Sequence, residues 1–217
     1  MRGGFAKAGY RLLGGVMVCV GLAGCAGRSP APTPLPAKKV NDACAIFQDR
    51  GGWYEETRKS AKKWGVPIPV QLAIIHQESG FRHDARPPQS KLFWFIPGGR
   101  ASSAFGYAQA LDETWENYQK NTGAHRASRD NFADAVDFVG WYVDLSHRKC
   151  GISKSDARLQ YLAYHEGQQG YNRRTYEGKK WLLDTAHRVE KNAERYRQQL
   201  ARCRPEEGSS GKRGWFF

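Results

Sequence analysis

Long apolar runs are scarce in this 217-residue chain, and the one near its start, Leu12 to Ala23, is too short to cross a bilayer as a helix. No second run could span a membrane, which excludes a polytopic membrane protein. Internal repeats are lacking. So is sustained alternation of apolar and polar residues between turn signals, and with it the signature of a sheet domain. The six histidines and five cysteines form no metal signature. His76 and His83 are not an i, i+4 pair around a carboxylate, and Cys44, Cys150 and Cys203 are too dispersed for zinc. No glycine loop follows a strand to cradle phosphate. Neither a metal nor any other cofactor is expected.

What is present begins with a leader. Arg2, Lys7 and Arg11 precede the apolar run, the layout of an export signal, and the run ends in Leu22-Ala23-Gly24-Cys25. That ending resembles the lipobox of bacterial lipoproteins. The resemblance implies cleavage before Cys25 and lipidation of its sulfur and new amino group. Two or three acyl chains hold a protein on a membrane where one is marginal. Ala26, in place of Asp after the cysteine, points to the outer membrane, with the domain in the periplasm. The bland alternative is an ordinary cleaved signal with a chance cysteine. Residues 27–39 carry alternating prolines and read as a semi-rigid spacer. One domain is expected from 41 to 204, and residues 205–217 read as a frayed tail, although Trp215-Phe216-Phe217 is unusual for one.

The chain carries 34 Lys+Arg against 21 Asp+Glu, and removal of the leader's three basic residues leaves 31 against 21, a formal +10. Such a balance suits a polyanionic partner. An export signal argues against nucleic acid and for peptidoglycan, with its stem peptides, or an anionic lipid surface. An oxidising compartment permits one disulfide among Cys44, Cys150 and Cys203. Cys44 and Cys203 bracket the domain, and domain termini often lie close together, so they are the expected pair. Closing so long a loop stabilises by roughly 4 to 5 kcal/mol on the chain-entropy argument. Cys150 is then expected as a buried free thiol.

The domain reads as all-α. Leu182, Ala186, Val189, Ala193, Tyr196, Leu200 and Cys203 follow helical spacing and predict a long C-terminal helix. Phe132, Val136, Val139 and Val143 line another face, continued by His147 and Cys150, and Gly151 supplies the stop. Ser155-Asp156 caps a helix through Leu159, Leu162 and Ala163. Trp53 to Trp64 is a short charged helix, and Pro67 and Pro69 sit at the entry of the next one.

That next helix carries the chemistry. Val70, Ile74 and Glu78 are spaced i, i+4, i+8, so Glu78 prolongs an inward apolar row, and Gly80 caps the end. The negative end of the macrodipole and desolvation both disfavour its anion, so its pKa is expected to rise. A carboxyl that keeps its proton near neutrality suits a glycosidic leaving oxygen. Alone, such a Glu is most simply a side chain reaching solvent at a helix end. Three motifs say otherwise. Glu78-Ser79 within Ile-Ile-His-Gln-Glu-Ser-Gly-Phe, Gly106-Tyr107-Ala108-Gln109, and Ala163-Tyr164-His165-Glu166-Gly167 resemble, in order, the three motifs of the soluble lytic transglycosylase (SLT) family. That family has the goose-type lysozyme fold, and the resemblance covers roughly residues 53–170.

The resemblance implies that Glu78 is the catalytic acid/base and that Ser79 helps hold the substrate or that carboxyl. It implies that Gln109 lines the groove and bonds the sugar, and that Tyr164 directs its phenol toward Glu78. Gly106, Tyr107 and His165 complete the expected substrate-binding and supporting set. A plain core aromatic is the other reading of Tyr164, and close backbone approach that of Gly106. Tyr107, Ala108 and His165 depart from the family's Leu, Met and Asn, so sugar contacts are expected to differ. Glu166 is a second carboxylate, either a possible secondary acid or a solvated loop charge. The interval between Glu78 and Gln109 holds an insertion, about residues 86–104, bracketed by prolines and glycines and expected as a loop or hairpin. Its aromatic cluster, Phe93-Trp94-Phe95, could stack on sugars or plug the domain.

The activity implied is cleavage of the MurNAc–GlcNAc bond to a 1,6-anhydro end by one Glu, without water. A lysozyme-like hydrolase using Glu166 or another acid to activate water, and a silent peptidoglycan tether, are the alternatives. A monomer is expected.

Overall fold

A computed structural model describes residues 1, 3, 33–93, 96–100 and 102–203, with backbone alone at 89–93 and 96–100. The export signal, Cys25, the start of the spacer, Trp94, Phe95 and the tail from 204 lie outside the described residues. The chain divides into Met1–Ala31 and Pro32–Phe217, and the architecture below is that of the second unit.

The domain is all-α, as helical spacing predicts. Its helices among the described residues are α1 (Ala43–Asp49), α2 (Trp53–Trp64), α3 (Ile68–Ser79), α4 (Asp112–Thr122), α5 (Phe132–Cys150), α6 (Ala157–Asn172) and α7 (Lys180–Cys203). Side-chain caps start three of them. Asp42 accepts from the backbone of Cys44 and Ala45, Asn131 from Asp134, and Asp156 from Leu159.

The central element is α3, on which every residue from Val70 to Ile75 is buried. A helix apolar all round belongs inside, and α7, α5, α2 and α6 pack against this one. The α7 stripe is seated as its spacing requires: Leu182, Ala186, Val189, Ala193 and Tyr196 are all buried. The α5 row is buried from Phe132 through Val143, and Ser146 one turn on is buried as well, but the row's own continuation is not. His147 is exposed and Cys150 only half-buried, against the expectation of a buried thiol. The last turn of α5 outruns its neighbours: Cys150 meets α6 on one side, its Sγ 3.6 Å from the Gln168 carbonyl.

Ordered packing starts before residue 41. Leu35 is buried within the core, and a 3-10 turn at Lys39–Asn41 leads into α1. A disulfide joins Cys44 to Cys203, with their Cα atoms 6.1 Å apart, and ties α1 to the end of α7. Within the expected insertion, β1 (Gln89–Phe93) pairs antiparallel with β2 (Ile96–Arg100). The register runs Gln89↔Arg100, Lys91↔Pro97 and Phe93↔Ile96, with irregular steps between. This hairpin is the insertion's form, and the directions of its aromatic side chains lie outside the described residues.

Candidate active site

Glu78 lies in the last turn of α3, which Gly80 ends in the left-handed conformation, its N–H donating to the His76 carbonyl at 2.9 Å. Phe81 follows, also left-handed at φ 63°, a conformation costly for a side chain with a Cβ. Its burial offsets that cost: the ring is packed between His76 and Trp53. On the opposite side of the same turn, His76 Nδ1 is 2.7 Å from the Tyr196 hydroxyl on α7, which also donates to Val40 O. Burial, and then the charge of Arg195, lower the His76 pKa and keep the imidazole neutral. The end of α3 is therefore held from two sides, and Glu78 with it.

The Glu78 side chain keeps part of its surface, yet protein surrounds its carboxyl closely enough to desolvate it. Burial raises its pKa from 4.5 to about 7, against the opposing pull of a hydrogen bond from the Tyr161 phenol. It therefore spends comparable time protonated and ionised at neutral pH, as a group that gives a proton and later takes one must.

Tyr161, not Tyr164, is the phenol that lowers the Glu78 pKa. The Tyr164 hydroxyl instead donates to the Ala108 carbonyl at 2.6 Å, so its link to Glu78 is through charge, which raises the Tyr164 pKa after burial. Both tyrosines sit on α6, three residues apart and thus on one face. That spacing is the signal that could have found Tyr161.

The loop from Gly106 to Gln109 supplies the facing wall. Gly106 has φ +76°, and a Cβ there would stand 2.0 Å from the Arg129 carbonyl oxygen, so only glycine lets the two backbones meet. Gln109, also left-handed at φ 48°, spends its amide nitrogen on Ala85 O at 2.8 Å and Gly106 O at 2.9 Å. Arg129 fastens the loop's far end through Ser103 O, Ala110 O and the Asp112 carboxylate. Tyr107 does not face the groove. It is 2% exposed, its ring edge-on to Trp53 and Phe132, so the expected substrate contact is replaced by a core contact. A residue that bulky on this tight loop has room only inward. Ser79 donates to Ile75 O on its own helix at 3.2 Å rather than to Glu78.

Beyond Tyr164 a cleft of about 250 Å³ opens between α4, α5 and α6, with Gln109, Tyr164, His165 and Glu166 on its walls. Glu166 is neither a free acid nor a solvated loop charge. Burial alone would raise its pKa, but hydrogen bonds from Lys179 at 2.7 and 2.8 Å, Thr175 and His165 outweigh that and lower it to about 2. A carboxylate so firmly ionised is a poor base near neutrality. Among the described residues, no group of three His, Cys, Asp or Glu side chains is arranged to hold a metal.

A family model described as "Transglycosylase SLT domain" matches residues 13–203. The chain belongs to that family. A comparison with curated proteins finds no match. Membership in the SLT family implies a transglycosylase acting on peptidoglycan, and the all-helical fold agrees with it. The three motifs meet at Tyr164: its phenol feels the charge of Glu78 in the last turn of α3, and it bonds the Ala108 carbonyl next to Gln109.

Proposed function

We propose that the protein is a lytic transglycosylase in which Glu78 alone serves as acid and then base. Protonated Glu78 gives its hydrogen to the oxygen joining N-acetylmuramic acid to the next N-acetylglucosamine. The C1–O bond breaks through an oxocarbenium-like state, and the muramyl acetamido oxygen closes on C1. The Glu78 carboxylate then takes the hydrogen of the C6 hydroxyl, whose oxygen displaces the acetamido group. A 1,6-anhydro ring forms, Glu78 regains its proton, and no water is consumed.

One observation carries this reading: among the described residues, Glu78 is the carboxyl poised near pH 7, while Glu166 is locked as an anion by Lys179. A two-carboxylate hydrolase would need a second acid that is free to accept a proton from water. Mass analysis of muropeptides released from sacculi tests the difference. Anhydro ends support the proposal, and reducing ends heavier by one water overturn it.

The lipobox supports anchoring through Cys25 at the outer membrane, with the catalytic domain, as a monomer, in the periplasm. Release of a Cys25→Ala protein from the membrane fraction checks the anchor, and retention there refutes it.

A further inference from the structure

Trp215-Phe216-Phe217 follow Lys212-Arg213 in a stretch that is otherwise mostly glycine, serine and charge. Neighbouring aromatics left in water form an apolar patch, and such patches mark contacts. The residues from 204 onward lie outside the described ones, but the point they leave from does not. They leave the end of α7 at Cys203, which the disulfide fixes against α1.

A groove lies within reach of that point. It has a volume of about 440 Å³ and runs between the entry of α3, the entry of α6 and the middle of α7. Pro67, Pro69, Val70, Ala157 and Ala193 give it apolar walls, and the two alanines are small enough to leave the hollow. Its rim carries Asp156, Glu190 and Glu194 against Arg197, an acidic patch on a chain whose formal charge is +13. Glu190 and Glu194 pair with His187 and Arg197 on their own helix, with the partners largely in water. Such exposed pairs are worth little and exchange readily. The helix is fastened on either side of the groove. Near its start Lys179 clamps Glu166 on α6, and at its end the disulfide holds it to α1.

We infer that residues 212–217 fold back into this groove, with the aromatic rings against its apolar walls and Lys212 and Arg213 against its acidic rim. Length permits it. Arg197 and Glu190 lie 6 and 13 residues before Cys203, about 9 and 20 Å back along the helix at 1.5 Å per residue. Residues 204–212 reach about 30 Å when extended. Pro205 and Gly208-Ser209-Ser210-Gly211 are residue types that reverse a chain. Charge matches as well: the segment brings two cations to a rim with two more acids than bases. Because the segment is already tethered, its effective concentration at the groove is on the order of millimolar, so a weak contact is enough. The groove lies at the opposite end of α3 from Glu78. The docked segment therefore leaves the chemistry free, and the inference stands or falls apart from the lytic reading.

The test uses the full chain with Cys25→Ala, so that no lipid is attached, and chymotrypsin, which cuts after Trp215. Intact mass spectrometry follows the cut, and a synthetic peptide of residues 208–217 gives the unprotected rate. Cleavage reads the fraction of time the segment is undocked, so the protein is expected to be cut at least about tenfold more slowly than the peptide. Glu190→Lys with Glu194→Lys should bring the rate up to that of the peptide while sacculus solubilisation stays unchanged. Adding Lys212→Glu and Arg213→Glu, which sets opposite signs together again, should return the protection. A parent cut as fast as the peptide overturns the docking. So does a rate that charge reversal leaves unmoved, or one that the swapped charges fail to restore. Protection that fades on hundredfold dilution overturns it in favour of a second copy, and protection that needs anionic vesicles in favour of a lipid surface.

Discussion

The phenol of Tyr161, on α6, pulls the pKa of Glu78, on α3, downward. A donor favours the anion of the group it bonds, so this contact restrains a pKa that burial drives upward. The balance leaves Glu78 near pH 7, where one carboxyl is able to act in both directions. The value of that position is kinetic, and it is exposed to direct test.

If Glu78 must start protonated, kcat/KM is expected to stay level from about pH 5 to 6 and to fall tenfold per unit above about 7. Glu78→Gln should lose about 100- to 10,000-fold in sacculus solubilisation at every pH. The folded state holds this proton more tightly than the unfolded chain, so its stabilising effect is complete below pH 4.5 and is lost as pH rises through 7. The amide variant should therefore melt higher than the parent above pH 7. The gap is on the order of 2 kcal/mol after allowance for partial exposure, and it closes below about pH 5. Melting temperatures that differ equally at pH 5 and pH 8 would rule out the raised pKa.

Tyr161→Phe removes the donor and leaves the ring. The Glu78 pKa should rise further, moving the alkaline limb of the rate profile upward while the rate at pH 6 falls, because the second step needs the anion. A loss of about 10- to 100-fold in kcat is expected, in keeping with one hydrogen bond to a charged group. Tyr164→Phe should act differently. It frees the Ala108 carbonyl and loosens the Gln109 loop, so KM should rise with the limb unmoved. Identical pH profiles for the two variants would mean that Tyr161 does not act through Glu78.

Much of this arrangement was legible in the residues alone. The i, i+4, i+8 row of Val70, Ile74 and Glu78 marked a carboxyl facing inward at a helix end, and the α7 stripe marked the long closing helix. Such periodicities follow from the geometry of one helix and need no knowledge of its neighbours. What failed depended on neighbours. The place of Tyr107 in a motif says nothing of side-chain direction, which the aromatic nest of Trp53 and Phe132 decides. Tyr161 carries no motif of its own, and the group it acts on lies on another helix. His147 and Cys150 continue the α5 spacing correctly, yet no helix covers that last turn on both sides. Glu166 reads as a free acid in sequence because Lys179, 13 residues on, comes back to it only through the turn before α7.

Gly106 is expected to be among the least replaceable residues of the loop. In Gly106→Ala the new methyl would meet the Arg129 carbonyl at 2.0 Å and the backbone would remain at φ +76°. The Arg129 segment must then shift, at a cost of about 2 to 4 kcal/mol from strain and overlap together. Because Gln109 bonds the Gly106 carbonyl, activity should fall as well as stability. A urea midpoint within error of the parent would contradict the close approach.

Glu166→Gln separates the two possible chemistries while probing the Lys179 clamp. A hydrolase using Glu166 as its base would lose its reducing-end products with that variant. The clamp reading instead expects anhydro products to persist, because Glu78 does all the proton transfer. The cost should appear in stability: the Glu166 side chain is 4% exposed, and its loss as an anion would leave Lys179, whose side chain is 40% exposed, with a neutral partner. Removing one member of a fully buried pair costs about 3 to 5 kcal/mol, so with one end in water a loss of about 1 to 2 kcal/mol is expected. Because the folded-state pKa of Glu166 is depressed to about 2, that difference should be complete above pH 4.5 and should shrink as pH falls through the pKa. Thermal melts of the two proteins at pH 3 and pH 7 measure it. A gap no smaller at pH 3 would show that the ion pair does not hold the start of α7 to α6.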